Sequence, residues 1–188
     1  GLYQDGISNY CSIARLQALN ENNRPHLGWT GFYDSYEALN VNMDNLLHIR
    51  SIVCCDRVYV VENPSVFQAL LKKLKKEKIK KIGLVCTNGQ LNYSAYLLLD
   101  ILVNSNINIY YSGDMDPEGL LIADKIKHRY PSIKLWCYDV RHYEISKSKE
   151  QATDQRMHML DALKDGALIQ IEKCICENKN RVGYQENM

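Results

Sequence analysis

The chain has 188 residues, of which 46 % are apolar and 24 % charged, and its net charge is +1. A chain of that length is expected to form one globular domain with a flanking arm and to bury roughly 70 % of its unfolded surface, so core size is not limiting. It has no apolar run near the ~20 residues that span a bilayer and no signal peptide, so the expectation is a cytoplasmic protein with no membrane partner.

Opening on Gly1 rather than methionine, the sequence reads as a domain cut from a longer protein. Residues 7–20 read as a helix, 20–34 as a polar, turn-rich linker and 36–52 as a second helix, which together make residues 1–55 an N-terminal helical arm. Residues 57–62 are a short β-branched and aromatic run, read as a strand. Over residues 65–77, Val66, Phe67, Leu70, Leu71 and Leu74 recur at helical spacing, with Lys72, Lys75 and Lys76 on the opposite side. Asn63 is a suitable N-cap for that helix, and Pro64 sits at its first position, where a missing N–H costs nothing.

Residues 82–87 predict a second strand, closed by the turn signal Asn88-Gly89. Residues 93–103 are apolar on nearly every side, as a helix wedged between two layers would be. A third strand follows at 107–112. The helix at 117–130 can turn Leu121, Ile122, Ile126 and Tyr130 inward, and 133–138 predicts a fourth strand. Strand and helix alternate through 56–145. That pattern predicts a Rossmann-like α/β core, a four-stranded, mainly parallel sheet with helices on both faces. Residues 146–188 read as a C-terminal helical extension.

The seven cysteines, Cys11, Cys54, Cys55, Cys86, Cys137, Cys174 and Cys176, are odd in number and include no C-x-x-C pair, which fits free thiols and no zinc site.

In a parallel sheet the ligand crevice lies beyond the carboxyl ends of the strands. Glu62 ends the first expected strand, and Asp114 and Asp116, 52 residues and more beyond it, follow the third. Such carboxylates would converge and repel one another unless protonated or bound to a cation, and an all-oxygen donor set suits Mg²⁺ or Mn²⁺. Asn88 and Gln90, on the loop after the second strand, are candidate phosphate contacts. Arg141 and Lys147, after the fourth, can reach the same crevice. Residues 72–81 hold seven lysines and one acid, a run able to track a DNA backbone through Lys72, Lys75 and Lys76.

A Glu after the first strand and a D-x-D pair after the third resemble the TOPRIM domain of type II-like topoisomerases, primases and related nucleases. Asp114-Met115-Asp116-Pro117-Glu118-Gly119 is similar to the D-x-D-P-x-G form of the topoisomerase VI A-subunit. With Val61-Glu62-Asn63-Pro64, Cys86-Thr87-Asn88-Gly89-Gln90 and Trp136, the pattern from about Tyr36 onward resembles the C-terminal TOPRIM domain of the D-subunits of Wadjet-type plasmid defence, encoded beside SMC-like complexes. The resemblance implies that Asp114 and Asp116 hold one or two Mg²⁺ ions. Glu62 would complete the site or act as general acid/base, and the substrate would be DNA. An SMC-like complex and a second copy of the chain are the implied partners. The strand-cleaving tyrosine of the topoisomerases lies on a separate domain, so water is the expected nucleophile.

Each signal also has a structural use. Asp116 can be the N-cap of the helix that Pro117 starts, Asn88 and Gln90 can simply build a turn, and a lysine run is often only a solvated helix face. Two functional alternatives stay open: a TOPRIM-like DNA-binding or assembly module that cuts nothing, and the TOPRIM part of a topoisomerase whose tyrosine domain lies elsewhere. A haloacid-dehalogenase-like phosphatase fits poorly, because its D-x-D follows the first strand.

Overall fold

The structure is a computed structural model that describes residues 6–53, 55–89 and 91–188. Gly1, Cys54 and Gln90 lie outside the described residues. The chain divides into two compact units, Gly1–Tyr110 and Tyr111–Met188. Both mix helix and strand, so the α/β expectation holds for each. Among the described residues no helix is long and apolar enough to cross a membrane.

The first unit contains β1 (Tyr10–Ala14), β2 (Gln17–Asn20), α1 (Leu27–Ser35), β3 (Leu39–Asn42), α2 (Met43–Leu47), β4 (Ile49–Val53), β5 (Arg57–Val61), α3 (Pro64–Glu77), β6 (Ile82–Cys86) and α4 (Tyr93–Asn104). The strand β7 (Asn108–Ser112) begins in this unit and ends in the next. Its sheet runs in the order β3-β1-β6-β5. β5 and β6 pair in parallel, Val60 opposite Val85, as expected of a crossover through α3. β1 is antiparallel to both of its neighbours, with Cys11 opposite Val41 on β3 and Ile13 opposite Val85 on β6.

In the arm expected to be helical over residues 1–55, the described residues instead form four short strands and two short helices. In 7–20 the structure has β1 and β2, and in 36–52 it has β3 and β4 around the single short helix α2. Leu39-Asn40-Val41-Asn42 alternates apolar and polar, the period of a half-buried strand, and Val41 is buried. The 20–34 linker contains α1, which buries Trp29. Arg15 lies between the rings of Tyr33 and Tyr36, 3.7 and 3.8 Å from their centroids, and donates to the Tyr33 carbonyl.

α3 starts on Asn63, whose side chain accepts from Ser65 N, with Pro64 in the first turn, as the sequence predicts. Its lysines face solvent and its Phe67 and Leu74 are buried. α4 buries Ala95, Leu98, Leu99, Ile101 and Leu102 and packs on β1 and β4. Each fully buried leucine of this kind contributes about 1.5–3 kcal/mol relative to exposure.

The second unit begins inside β7 and contains α5 (Pro117–Arg129), β8 (Lys134–Leu135), α6 (Val140–Ser146), β9 (Lys147–Gln151), α7 (Asp154–Met157), a 3-10 turn at His158–Ala162, α8 (Gly166–Glu177), β10 (Arg181–Gly183) and a last 3-10 turn at Gln185–Asn187. β8 is the expected fourth strand, shortened to two residues beside β7, where Trp136 N donates to Tyr111 O at 2.8 Å. α5 turns Leu120, Ala123, Ile126 and Tyr130 into the core, and Leu121 and Ile122 are only half-buried. The inward face is thus rotated by about one position from the expected one. The expected helical extension is only partly helical: α8 buries Leu168, Ile171 and Ile175, but β9 and β10 form an antiparallel ladder around it.

Candidate functional site

In the second unit, β7 runs into Gly113 and then the acidic turn Asp114-Met115-Asp116 before α5 begins. Asp116 is the N-cap: its backbone is extended and its Oδ1 accepts from Gly119 N at 2.8 Å, with Pro117 next in line. Its other oxygen, Oδ2, accepts from Arg156 Nη2 at 2.9 Å. Arg156 Nε reaches Glu118 Oε1 at 2.8 Å and Oε2 at 3.1 Å, and Nη2 also donates to Glu118. One guanidinium therefore bridges two carboxylates of the D-x-D-P-E motif.

Asp114 is held differently. Its Oδ1 accepts from Gln185 N at 2.7 Å, and its backbone oxygen accepts from Tyr138 Oη at 2.6 Å. Among the described residues no hydrogen bond falls on Asp114 Oδ2. Between the two aspartates, buried Met115 exchanges both backbone hydrogen bonds with Gly183, at 2.8 and 3.0 Å. The segment from β10 to Gln185 thus pins the acidic turn from a position about 70 residues on in the chain.

Burial pushes the Asp114 and Asp116 carboxyls above the ordinary range. At Asp114 the Gln185 N–H opposes this and the negative charges of Asp116 and Glu186 add to it. Repulsion from Asp116 at Asp114, and from Glu118 at Asp116, is smaller than desolvation. Glu118 goes the other way, held below its usual value mainly by its hydrogen bonds to Arg156. The Glu118–Arg156 pair therefore stabilises above the ordinary glutamate range, and that contribution is lost as pH falls through the lowered value.

Asp116 has a cap to lose as well as a charge. Asparagine caps as well as aspartate does, so Asp116→Asn keeps the Gly119 bond and Asp116→Ala does not. In urea denaturation the alanine variant is expected to be less stable than the asparagine variant by about 1 kcal/mol. Equal stability of the two variants would show that the cap contributes nothing.

Glu62 belongs to the first unit, one residue past β5, and is only 7 % exposed. The loop after β6 closes over its backbone. Thr87 N donates to Val61 O at 3.0 Å, Gly89 N to Glu62 O at 3.1 Å, and Cys86 Sγ to Glu62 O at 3.4 Å. Asn88 and Gly89 carry φ of 57° and 97°, the left-handed pair that Asn-Gly tolerates. The structure thus brings Glu62 and the Asn88 loop together, but the Asn88 amide donates to Ser12 Oγ at 3.2 Å and braces the loop to β1. Gln90 is outside the described residues.

The basic candidates divide. Lys72, Lys75, Lys76 and Arg141 are exposed. Lys147 is engaged locally, its Nζ 2.9 Å from Glu144 Oε2 and 2.7 Å from Asn178 Oδ1. Burial pushes the Cys11 thiol up to about 12 and the Cys86 thiol up to about 11, so neither is a thiolate nucleophile at neutral pH. Among the described residues, neither unit by itself groups three or more His, Cys, Asp or Glu side chains as ligands for a metal ion. Sequence reasoning missed Arg156 and the Gln185 backbone. Both are remote in the chain, and no spacing signal links either to the acidic turn.

No curated relative matches the chain. Its residues 40–188, which run from within β3 through the C-terminal 3-10 turn, match the family described as "Protein of unknown function C-terminus (DUF2399)", and the chain belongs to that family.

Proposed function

We propose that this chain is a TOPRIM-type, Mg²⁺- or Mn²⁺-dependent DNA-cleaving domain of a bacterial plasmid-defence protein that works with an SMC-like complex. The observation that supports the reading best is the acidic turn itself: two carboxylates flank one residue at a strand-to-helix junction, and among the described residues no hydrogen bond falls on Asp114 Oδ2. The donor chemistry fits, because Mg²⁺ is commonly held by one or two carboxylates and completes its shell with water and substrate phosphate oxygens. When bound, the ion supplies Lewis-acid polarisation of a phosphoryl oxygen.

In this reading Asp114 Oδ2 and Asp116 are the protein ligands. The Gln185 N–H fixes the rotamer of Asp114, and the Gly119 N–H fixes that of Asp116. Glu62, at the carboxyl end of β5, completes the site or serves as general acid/base, moving a proton to or from the attacking water or the leaving 3′-oxygen. The exposed lysines of α3 and Arg141 supply sequence-independent attraction for the DNA backbone. The protein works in the cytoplasm, and a homodimer is the assembly we favour.

Nicking of supercoiled plasmid by the whole protein tests the proposal. The expected result is cleavage that requires Mg²⁺ or Mn²⁺, stops with chelator and falls by about 10²–10⁴-fold in Glu62→Ala. Undiminished cleavage by Glu62→Ala would remove Glu62 from the mechanism. A second reading, a module that binds DNA without cutting it, draws on one observation: Arg156 already forms ion pairs with both Asp116 and Glu118. Salt-dependent DNA binding with no metal-dependent nicking is its expected outcome.

A further inference from the structure

Resting on the proposed metal site, we propose that Arg156 is the resident counter-cation of the acidic turn, and that a divalent ion must displace it from Asp116 to bind. Asp116 has two oxygens and both are spoken for. Oδ1 is tied to Gly119 N as the cap of α5, and turning it away would uncap a helix whose remaining first-turn N–H groups need an acceptor. Oδ2 is the oxygen left to ligate a cation, and it already accepts from Arg156 Nη2 at 2.9 Å. Oδ2 has a second lone-pair direction, but a guanidinium and a metal ion on the same oxygen are two cations held close enough to repel strongly.

The arrangement also gives Arg156 somewhere to go. Glu118 receives both Nε and Nη2, so the guanidinium keeps an ion-paired anchor when it leaves Asp116. Both side chains are accessible enough to move, Arg156 being 36 % exposed and Glu118 39 %, while Asp116 is 16 % exposed and fixed by its cap. Arg156 thus does in the metal-free protein what the ion does in the loaded one: it offsets the charge of a half-buried carboxylate. The consequence is a metal site of modest affinity in the DNA-free protein, because the ion has to compete with Arg156 for Asp116.

Calorimetric titration of the whole protein with MnCl₂, without DNA, tests this. Arg156→Gln removes the competitor, and its affinity for Mn²⁺ is expected to rise about tenfold over the unsubstituted protein. The gain should persist at roughly 0.5 M KCl, where the Debye length is about 4 Å and a purely long-range charge effect is screened out. Arg156→Lys, which keeps the charge but loses the bidentate fork, should fall between the two and serves in place of the glutamine variant if that one unfolds. Equal or weaker Mn²⁺ binding in the variants, or a gain that vanishes in salt, overturns the displacement. Absence of binding in all of the proteins overturns the metal site itself, and so separates that failure from this one.

Discussion

Asp114→Asn is expected to abolish metal-dependent nicking and, in the same molecule, to raise the melting temperature in metal-free buffer at neutral pH. The two effects share one cause. Burial holds the Asp114 carboxyl above its ordinary range, so its ionised form is penalised in the folded chain. Asparagine removes the charge but keeps an oxygen that can accept from Gln185 N. Because the folded pKa is raised, the native state is most favoured where Asp114 is protonated, and stability is lost as pH rises from the ordinary aspartate range through the raised value. The advantage of the variant should therefore be present at pH 7 and disappear below about pH 3.9. Each ~1 kcal/mol recovered would appear as about 2–4 °C in a chain of this size. Loss of a ligand oxygen should cost about 10²–10⁴-fold in cleavage, the scale of several kcal/mol of Lewis-acid stabilisation. Thermal melts at both pH values and a plasmid assay on one preparation measure both. Full nicking by Asp114→Asn removes Asp114 from the metal site, and a lower melting temperature at pH 7 contradicts the buried-charge account.

The largest stability loss is expected from Gly119→Ala. A Cβ on Gly119 would lie 2.2 Å from the Asp114 carbonyl oxygen, 3.0 Å from its carbonyl carbon and 3.1 Å from Asp116 Oδ1. The first two are backbone atoms of the acidic turn, which cannot swing aside as a side chain can. Either α5 or the turn has to move, at a cost of about 2–3 kcal/mol or more, typical of overpacking without room to relax. Chemical denaturation should show that loss, and the displaced Asp114 should take nicking activity with it. Gly31→Ala, within α1, is the control: nothing lies within 4 Å of its Cβ, so no such loss is expected. Equal losses in the two variants would show that the close approach at Asp114 is not what demands glycine.

Much of this protein is written locally. Asn63-Pro64 and Asp116-Pro117 start α3 and α5 by the same cap-then-proline chemistry, which needs only residues within one helical turn. The apolar run of α4 and the β-branched run of β5 likewise identify themselves, because long or strongly patterned segments outweigh their surroundings. The acidic turn is legible for the same reason, being a run of neighbours at a strand-to-helix junction.

What the sequence left undecided depends on distant partners. β1 to β4 are four or five residues each, too short for periodicity to separate strand from helix, and they become strands because β3, β1 and β6 in one sheet, and β2 and β4 in another, satisfy one another's backbone groups. The inward face of α5 is set by what packs against it, which is why Leu120 and Ala123 are buried in place of Leu121 and Ile122. The state of the acidic turn was beyond local reading for the same physical reason. Arg156 and Gln185 reach it from 40 and 71 residues away. A carboxylate's charge, rotamer and free oxygen are fixed by whichever donors the folded chain brings to it, and chain distance carries no record of that.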